Sequence, residues 1–158
     1  MDSVVVDIAD AYISISGVSF SNRYKLTFVF FDRQGKGDVP AYSYVETGGE
    51  KDSQSCNFFE LDSENAWKEA YDKFLPKLWL SDLDTGPRKP ADEYPDVDWE
   101  YILPQKGTTV TAIPRMTEQM AGSGFKGSAY QMVQAFSNRS IQLLWDRKQG
   151  VFTKGAVQ

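Results

Sequence analysis

The sequence predicts a β-rich α+β domain, a small antiparallel barrel with one inserted amphipathic helix near residues 63–75. Three observations support this prediction. Stretches in which apolar and polar residues alternate, the pattern of half-buried strands, occupy both ends of the chain. Only one stretch between them has the spacing of an amphipathic helix. The 158 residues are enough for one sizeable core, so we predict a single globular domain over residues 1–158.

The most strongly patterned strand covers residues 24–31. Alternate side chains of a strand point to opposite sides. One side is wholly apolar and consists of Tyr24, Leu26, Phe28 and Phe30. The other side is mixed and consists of Lys25, Thr27, Val29 and Phe31. Because a wholly apolar side requires a core, we expect the side that begins with Tyr24 to be buried. The side that carries Lys25 and Phe31 is then left for the surface.

Shorter strand-like stretches precede and follow this strand. They cover residues 4–8, 11–15, 41–45, 99–103, 108–113, 140–145 and 151–153. The last two flank a turn-like segment, residues 146–150, and predict a closing hairpin. Residues 46–57 are polar and contain glycine, so we interpret them as a mobile loop.

One helix is predicted from about residue 63 to residue 75. Asp62 or Ser63 can cap its first backbone N–H groups, and Pro76 ends it because proline lacks an N–H. Its apolar side chains recur at the i, i+3 and i+4 spacing of a single face, namely Trp67, Ala70, Tyr71, Phe74, Leu75 and Leu78. We expect this face to pack into the core.

The absence of histidine narrows the chemistry open to the chain. It excludes Ser-His-Asp and Cys-His triads, and the single cysteine, Cys56, excludes thiolate zinc sites and an internal disulfide. We therefore predict a binding protein rather than an enzyme, with no cofactor. A lone thiol in a polar run favours a cytoplasmic setting. No apolar run approaches the roughly 20 residues that cross a bilayer, so no membrane partner is predicted.

The charged residues are unevenly distributed. Residues 1–103 hold 10 basic and 20 acidic residues, whereas residues 104–158 hold 7 basic and 2 acidic ones. Cations that neutralise phosphates, interleaved with rings that stack on bases, are typical of single-strand-binding surfaces. The candidate nucleic-acid-binding residues are Lys25, Phe31, Arg115, Lys126, Tyr130, Arg139, Trp145, Arg147 and Lys148. In the alternative interpretation, the rings fill the core and the cations are solvated.

Acidic residues cluster between residues 92 and 100. In an extended chain Asp96, Asp98 and Glu100 point to one side, where their oxygens could hold Mg²⁺ or Ca²⁺. The alternative is an acidic face in solvent with apolar residues beneath it. A metal-dependent enzyme that uses these three carboxylates is therefore a further hypothesis.

The order of features resembles the OB-fold single-stranded DNA-binding proteins of tailed phages. The resemblance is carried by a strand pair that leads into residues 23–32, the helical stretch 64–70, the Asp- and Pro-rich link 84–90 and the closing residues 146–150. It implies an OB-like barrel, a binding groove across the barrel face and a role in DNA replication. Residues 153–158 lack the acidic tail of that family, so the recruitment of replication proteins by such a tail is not implied.

Two principal function hypotheses follow. The first is binding of single-stranded DNA or RNA, with the basic C-terminal third and the outer side of the strand at residues 24–31 forming the groove. The second is an acidic inhibitor or immunity-type protein that masks a basic partner protein with residues 81–100. The two hypotheses place the binding surface on different parts of the chain.

Overall fold

Two antiparallel β-sheets that pack face to face make up most of the protein. The computed structural model describes residues 3–9, 11–48, 52–87, 89–117, 119–120 and 127–158. The first sheet has six strands in chain order, which are β1 (Ser3–Ala9), β2 (Tyr12–Ser19), β3 (Asn22–Arg33), β4 (Lys36–Thr47), β5 (Ser53–Leu61) and β6 (Trp67–Glu69). The second has four strands in the order β10-β9-β8-β7, which are β7 (Asp98–Ile102), β8 (Val110–Arg115), β9 (Ile141–Asp146) and β10 (Val151–Val157).

Helical residues are few in the described part of the chain. Helix α1 (Tyr71–Phe74) and the 3-10 helix Leu80–Leu83 lie between the two sheets in sequence, followed by a second 3-10 helix, Ala91–Glu93. Helix α2 (Ser128–Phe136) precedes β9. None of the described helices is long and apolar enough to cross a membrane.

The predicted β-rich class is confirmed, but no closed barrel is found. Strand pairing is antiparallel throughout, as it is in the predicted closing hairpin of β9 and β10. Within the described residues no strand of the six-stranded sheet pairs with a strand of the four-stranded sheet, so the two sheets stay separate layers. Residues 53–57, predicted as part of a loop, begin β5 instead.

Strand β3 buries the side opposite to the one predicted. Phe31 is fully buried, whereas Phe30 keeps 39% of its surface exposed. The prediction that the side beginning with Tyr24 forms the core is therefore wrong. Both sides of β3 are apolar enough for a core, and the paired strands select between them. One row of residues paired across four strands shows which side is buried. All of its members are buried, namely Tyr12, Val29, Ala41 and Phe58.

Aromatic rings from both sheets join in the core. Neighbouring rings in this cluster have centroids between 4.8 and 6.5 Å apart, a spacing at which tilted and edge-to-face pairs attract. The cluster consists of Phe31, Phe58, Phe74, Trp145 and Phe152. Phe31 and Phe58 belong to the six-stranded sheet and Trp145 and Phe152 to the other, so these contacts hold the sheets together.

The helix predicted over residues 63–75 is wrong for most of its length. The Asp62 carboxylate accepts hydrogen bonds from the backbone N–H groups of Glu64 (2.8 Å) and Ala66 (2.9 Å), and the chain turns back. It then pairs as β6 with β5, so that only α1 is helical. An aspartate holds a turn as readily as a helix start, and the open edge of β5 offers backbone partners that a short helix would lack.

Candidate nucleic-acid interface

Two of the predicted binding residues lie in the core. Phe31 is fully buried and Trp145 is 9% exposed. The Trp145 indole N–H donates a hydrogen bond to the backbone carbonyl of Asp32 at 2.7 Å, which ties β9 to the end of β3. Their rings are closed off by core neighbours and cannot stack on a base at the surface. The assignment of these two rings to a groove is corrected accordingly.

Arg147 and Lys148 lie together in the turn between β9 and β10. The Arg147 guanidinium forms an ion pair with Asp32, and its backbone carbonyl accepts a hydrogen bond from the Gln34 N–H at 3.0 Å. This turn is thereby attached to the β3–β4 turn. Lys25 is seven residues from Asp32 along β3, a distance of roughly 23 Å. Arg147 and Lys148, which lie beside Asp32, are therefore far from Lys25. The structure does not bring them into one groove.

Tyr130 and Arg139 lie on and just after α2. The Arg139 guanidinium donates a hydrogen bond to the Leu83 carbonyl at 2.9 Å and stacks over the Phe136 ring at 5.2 Å. The Tyr130 hydroxyl accepts a hydrogen bond from the Gln134 side chain at 3.0 Å. Arg139 therefore fastens α2 to the 3-10 helix Leu80–Leu83. The remaining candidate, Lys126, lies outside the described residues.

The carboxylates considered as metal ligands do not form a metal site. Glu100 pairs with Arg115 on the neighbouring strand, with Oε2 and Nε 2.5 Å apart. No group of three or more potential ligands comes together among the described residues, which include Asp96 and Asp98. Arg115 is also one of the predicted nucleic-acid-binding cations, and its charge is here opposed by the carboxylate of Glu100.

Lys25 is exposed for a reason that the sequence did not indicate. It points to the same side of β3 as Phe31, but beyond the end of the core. Strands β3 and β4 have 12 residues each, and β8 and β9 have six, which corresponds to about 40 Å against about 20 Å. The longer sheet therefore overhangs the shorter one.

The polarity and burial of the side chains on the overhang change from one row of paired residues to the next along β3. Beside the core lies a row of small polar residues, in which Ser14, Thr27 and Ser43 are buried. The next row pairs Ser16 and Lys25 with Val45, and the last pairs Arg23 with its neighbours at the open end of the sheet. Burial thus declines as the residues become polar and then basic.

An open trough of about 340 Å³ lies over this end of the sheet. We call it the Arg23–Lys25 trough. Its lining consists of Val5, Ser16, Gly17, Val18, Arg23, Tyr24, Lys25, Val45 and Thr47. Among the described residues, its lining includes two cations and no carboxylate. In the described part of the chain neither Arg23 nor Lys25 forms an ion pair, so both charges are available to an anion.

Arg23 was missed as a candidate, although a signal for it was present. It stands two residues before Lys25, and in a strand that spacing puts both side chains on one side, roughly 7 Å apart along the chain. Two adjacent cations over a concave, carboxylate-free floor can contact successive acidic groups of an extended ligand.

The row that contains Lys25 leads to a second cavity. It continues through Val45 to Gln54, which lines a cavity of about 430 Å³ together with Trp99 and Arg115. Trp99 is half-buried there and packs in part against the core. Carboxylates of Asp52, Asp98 and Glu100 share this cavity, so charge alone does not favour an anion in it.

The acidic stretch 81–100 is partly neutralised within the molecule. Asp82 pairs with Lys154 at 2.7 Å. The Asp84 carboxylate accepts hydrogen bonds from the Tyr94 hydroxyl (2.7 Å) and the Gly86 N–H, which lower the pKa of Asp84 below its usual value. Glu100 pairs with Arg115. The remaining four acidic residues are exposed and have no ion pair among the described residues, namely Asp92, Glu93, Asp96 and Asp98.

Comparison with protein-family models, with curated proteins and with solved structures gives no match.

Proposed function

We propose that the chain is a non-enzymatic module that binds single-stranded nucleic acid at the overhang of its six-stranded sheet. The observation that supports this proposal is the Arg23–Lys25 trough, where two exposed cations lie side by side and form no ion pair with any described carboxylate. A single strand lying across the sheet would place phosphates at Arg23 and Lys25 and a base near Trp99. Phosphate contacts supply affinity, and base stacking supplies roughly 1–3 kcal/mol per ring.

An OB-like barrel, which the resemblance to phage single-stranded DNA-binding proteins implies, is not required for this mode of binding. An open sheet that overhangs its partner layer offers a concave, solvent-facing floor of the same kind. The proposal rests on the position of the two cations, and it applies to DNA and RNA alike because phosphates are common to both.

The proposal is tested by reversing the charge of the trough. Fluorescence anisotropy with labelled oligo-dT at low salt should show binding by the unaltered chain and at least about a tenfold loss for Arg23→Glu with Lys25→Glu, since two phosphate contacts become repulsive. The matched control is Lys36→Glu with Lys89→Glu, which changes the net charge equally at exposed lysines outside the trough.

Salt dependence gives a second and quantitative readout. Two phosphate contacts predict a slope of log K against log salt of about −1.4, or about a sevenfold loss of affinity from 50 to 200 mM salt. The trough variant should lose most of this slope and the lysine control should keep it. Equal losses in the two variants, or no binding by the unaltered chain at low salt, would contradict the proposal.

A second candidate function is masking of a basic protein by the acidic stretch. The observation in its favour is the exposure of four carboxylates that form no ion pair with a described residue, those of Asp92, Glu93, Asp96 and Asp98. Such charges raise association rates with a basic partner.

This candidate predicts that the chain, used as bait in an extract of its host, recovers one basic protein. Conversion of the four carboxylates to amides should abolish that recovery. The paired Asp82 and Asp84 serve as the control, because their charges are already used within the molecule. Recovery that is unchanged in the four-site variant rules this function out.

A further inference from the structure

The outer side of the six-stranded sheet, opposite to the core, is largely apolar, and no other described element of the chain packs against it. Paired rows across β1 to β4 contain Ile8, Ile13, Ile15, Leu26, Phe28 and Tyr42 on this side. Ile8 is 71% exposed. We call this side the outer face. It includes the apolar residues of β3 that the sequence predicted to be buried.

The outer face also contains a depression of about 520 Å³. Its lining residues are Phe28, Phe30, Pro40, Ala41, Tyr42, Phe59 and Trp67. Trp67 is 56% exposed at its border, and the Phe28 and Tyr42 rings lie 5.6 Å apart on its floor. The face therefore has both a projecting ring and a recess, which a second apolar surface can fit.

The charge of the outer face identifies what can cover it. In the three paired rows that contain Tyr24, Leu26 and Phe28, Glu46 is the single charged side chain. Its carboxylate accepts hydrogen bonds from the Asn22 amide (2.9 Å) and the Tyr44 hydroxyl (2.7 Å). These rows contain no cation, which disfavours a phosphate backbone. Because the chain has a net charge of −5, two copies repel each other least when they meet through a face with as little charge as this one.

The size of the face meets the requirement of a dimer. Five strand spacings and the eight-residue length of β2 give a flat area of roughly 24 by 27 Å, or about 650 Å² before corrugation is counted. Specific dimers bury about 600–1,000 Å² on each partner. The apolar part of the face, on β1 to β4, covers about 400 Å², and an exposed apolar patch of this size often marks a binding surface.

We propose that the outer face binds the same face of a second copy of this chain, so that two six-stranded sheets stack in a twofold-symmetric dimer. The two sheets would lie about 10 Å apart, as sheets do within a sandwich. A dimer of this kind has four β-layers with the four-stranded sheets outermost. Both Arg23–Lys25 troughs stay open, because they lie on the opposite side of the sheet, and the inference does not depend on the proposed function.

Sedimentation equilibrium over a wide concentration range tests the dimer. The unaltered chain should sediment at twice the chain mass. Phe28→Lys and Phe30→Lys each place an unpaired charge in the depression that the dimer would bury, which should weaken association at least about a hundredfold and give the chain mass. Leu144→Lys is the matched control, because Leu144 is equally apolar and exposed but belongs to the other sheet.

Circular dichroism establishes that each variant is folded. If Phe28→Lys does not fold, Phe30→Lys decides, because a large part of the Phe30 ring already faces water. An unaltered chain that stays at the chain mass throughout overturns the proposal, even when neutral lipid vesicles or another apolar partner bind it. A folded Phe30→Lys variant that still sediments as a dimer also overturns it.

Discussion

Two neighbouring rings, Phe30 and Phe31, decide between the predicted core and the observed one. They are adjacent in sequence and chemically identical, yet Phe31 meets Trp145 and Phe152 while Phe30 lies on the outer face. The difference arises from the partners of β3. On the side of Phe31, the residues opposite it on β4 and in the second sheet are apolar and buried.

Truncation of each ring measures this difference. Phe31→Ala should lower the free energy of unfolding by about 3–5 kcal/mol, because it leaves a cavity among the core rings. Phe30→Ala should cost about 1 kcal/mol or less beyond any change in association, since its ring is already part-exposed. Urea unfolding at a single protein concentration compares them. A larger loss for Phe30→Ala would place the core on the other side of β3.

At the scale of elements, β5 shows how a polar stretch becomes a central strand. Residues 53–57 have little of the alternation that marks a strand, but the edge of β4 pairs with them. Cys56 consequently stands in the small polar row beside the core, where burial raises the pKa of its thiol to about 12. A thiol in a solvated loop would keep its ordinary pKa of about 8.5.

The reactivity of Cys56 reports whether this strand is in place. At pH 8 a thiol whose pKa is raised to about 12 is almost wholly protonated, so reaction with a disulfide reagent should be at least about tenfold slower than that of a free thiol, even though a thiolate of higher pKa is the better nucleophile. Denaturant should restore the normal rate along with unfolding. A native protein that reacts at the rate of an unfolded control would show that residues 53–57 are a loop.

The elements differ in how far local sequence determines them. The strands at residues 24–31 and 41–45 and the closing hairpin could be predicted, because alternation and turn residues are local signals. The side of β3 that is buried could not be predicted, because both sides have large apolar residues and the mixed side, with Val29 and Phe31, is the one that the other strands cover. The helix over residues 63–75 failed for a similar reason, since the edge of β5 competes for the same backbone groups.

The candidate site was predicted only in part. Lys25 was identified from its position in a strand, and Arg23 could have been found by the same alternation. The dispersal of Arg147, Arg139 and Lys25 over separate regions could not be foreseen, because it depends on how the two sheets stack and on the overhang that results. Patterns within single strands contain no such information.

At the scale of the whole molecule, the six-stranded sheet has two distinct sides beyond the core. One side ends in the Arg23–Lys25 trough and the other is the outer face. If the outer faces meet in a dimer, each assembly presents two troughs on opposite sides, which gives a nucleic acid two equivalent contacts. Linked contacts of this kind strengthen binding when one strand can span both sites.

A titration of the isotope-labelled protein with oligo-dT, followed by backbone amide NMR shifts, locates the nucleic-acid-binding surface residue by residue. Binding at the Arg23–Lys25 trough predicts the largest shifts at Ser16, Arg23 and Lys25, spreading toward Trp99. The turn that contains Arg147 should stay unchanged. Shifts concentrated at that turn or along α2, or none at all at low salt, would contradict it.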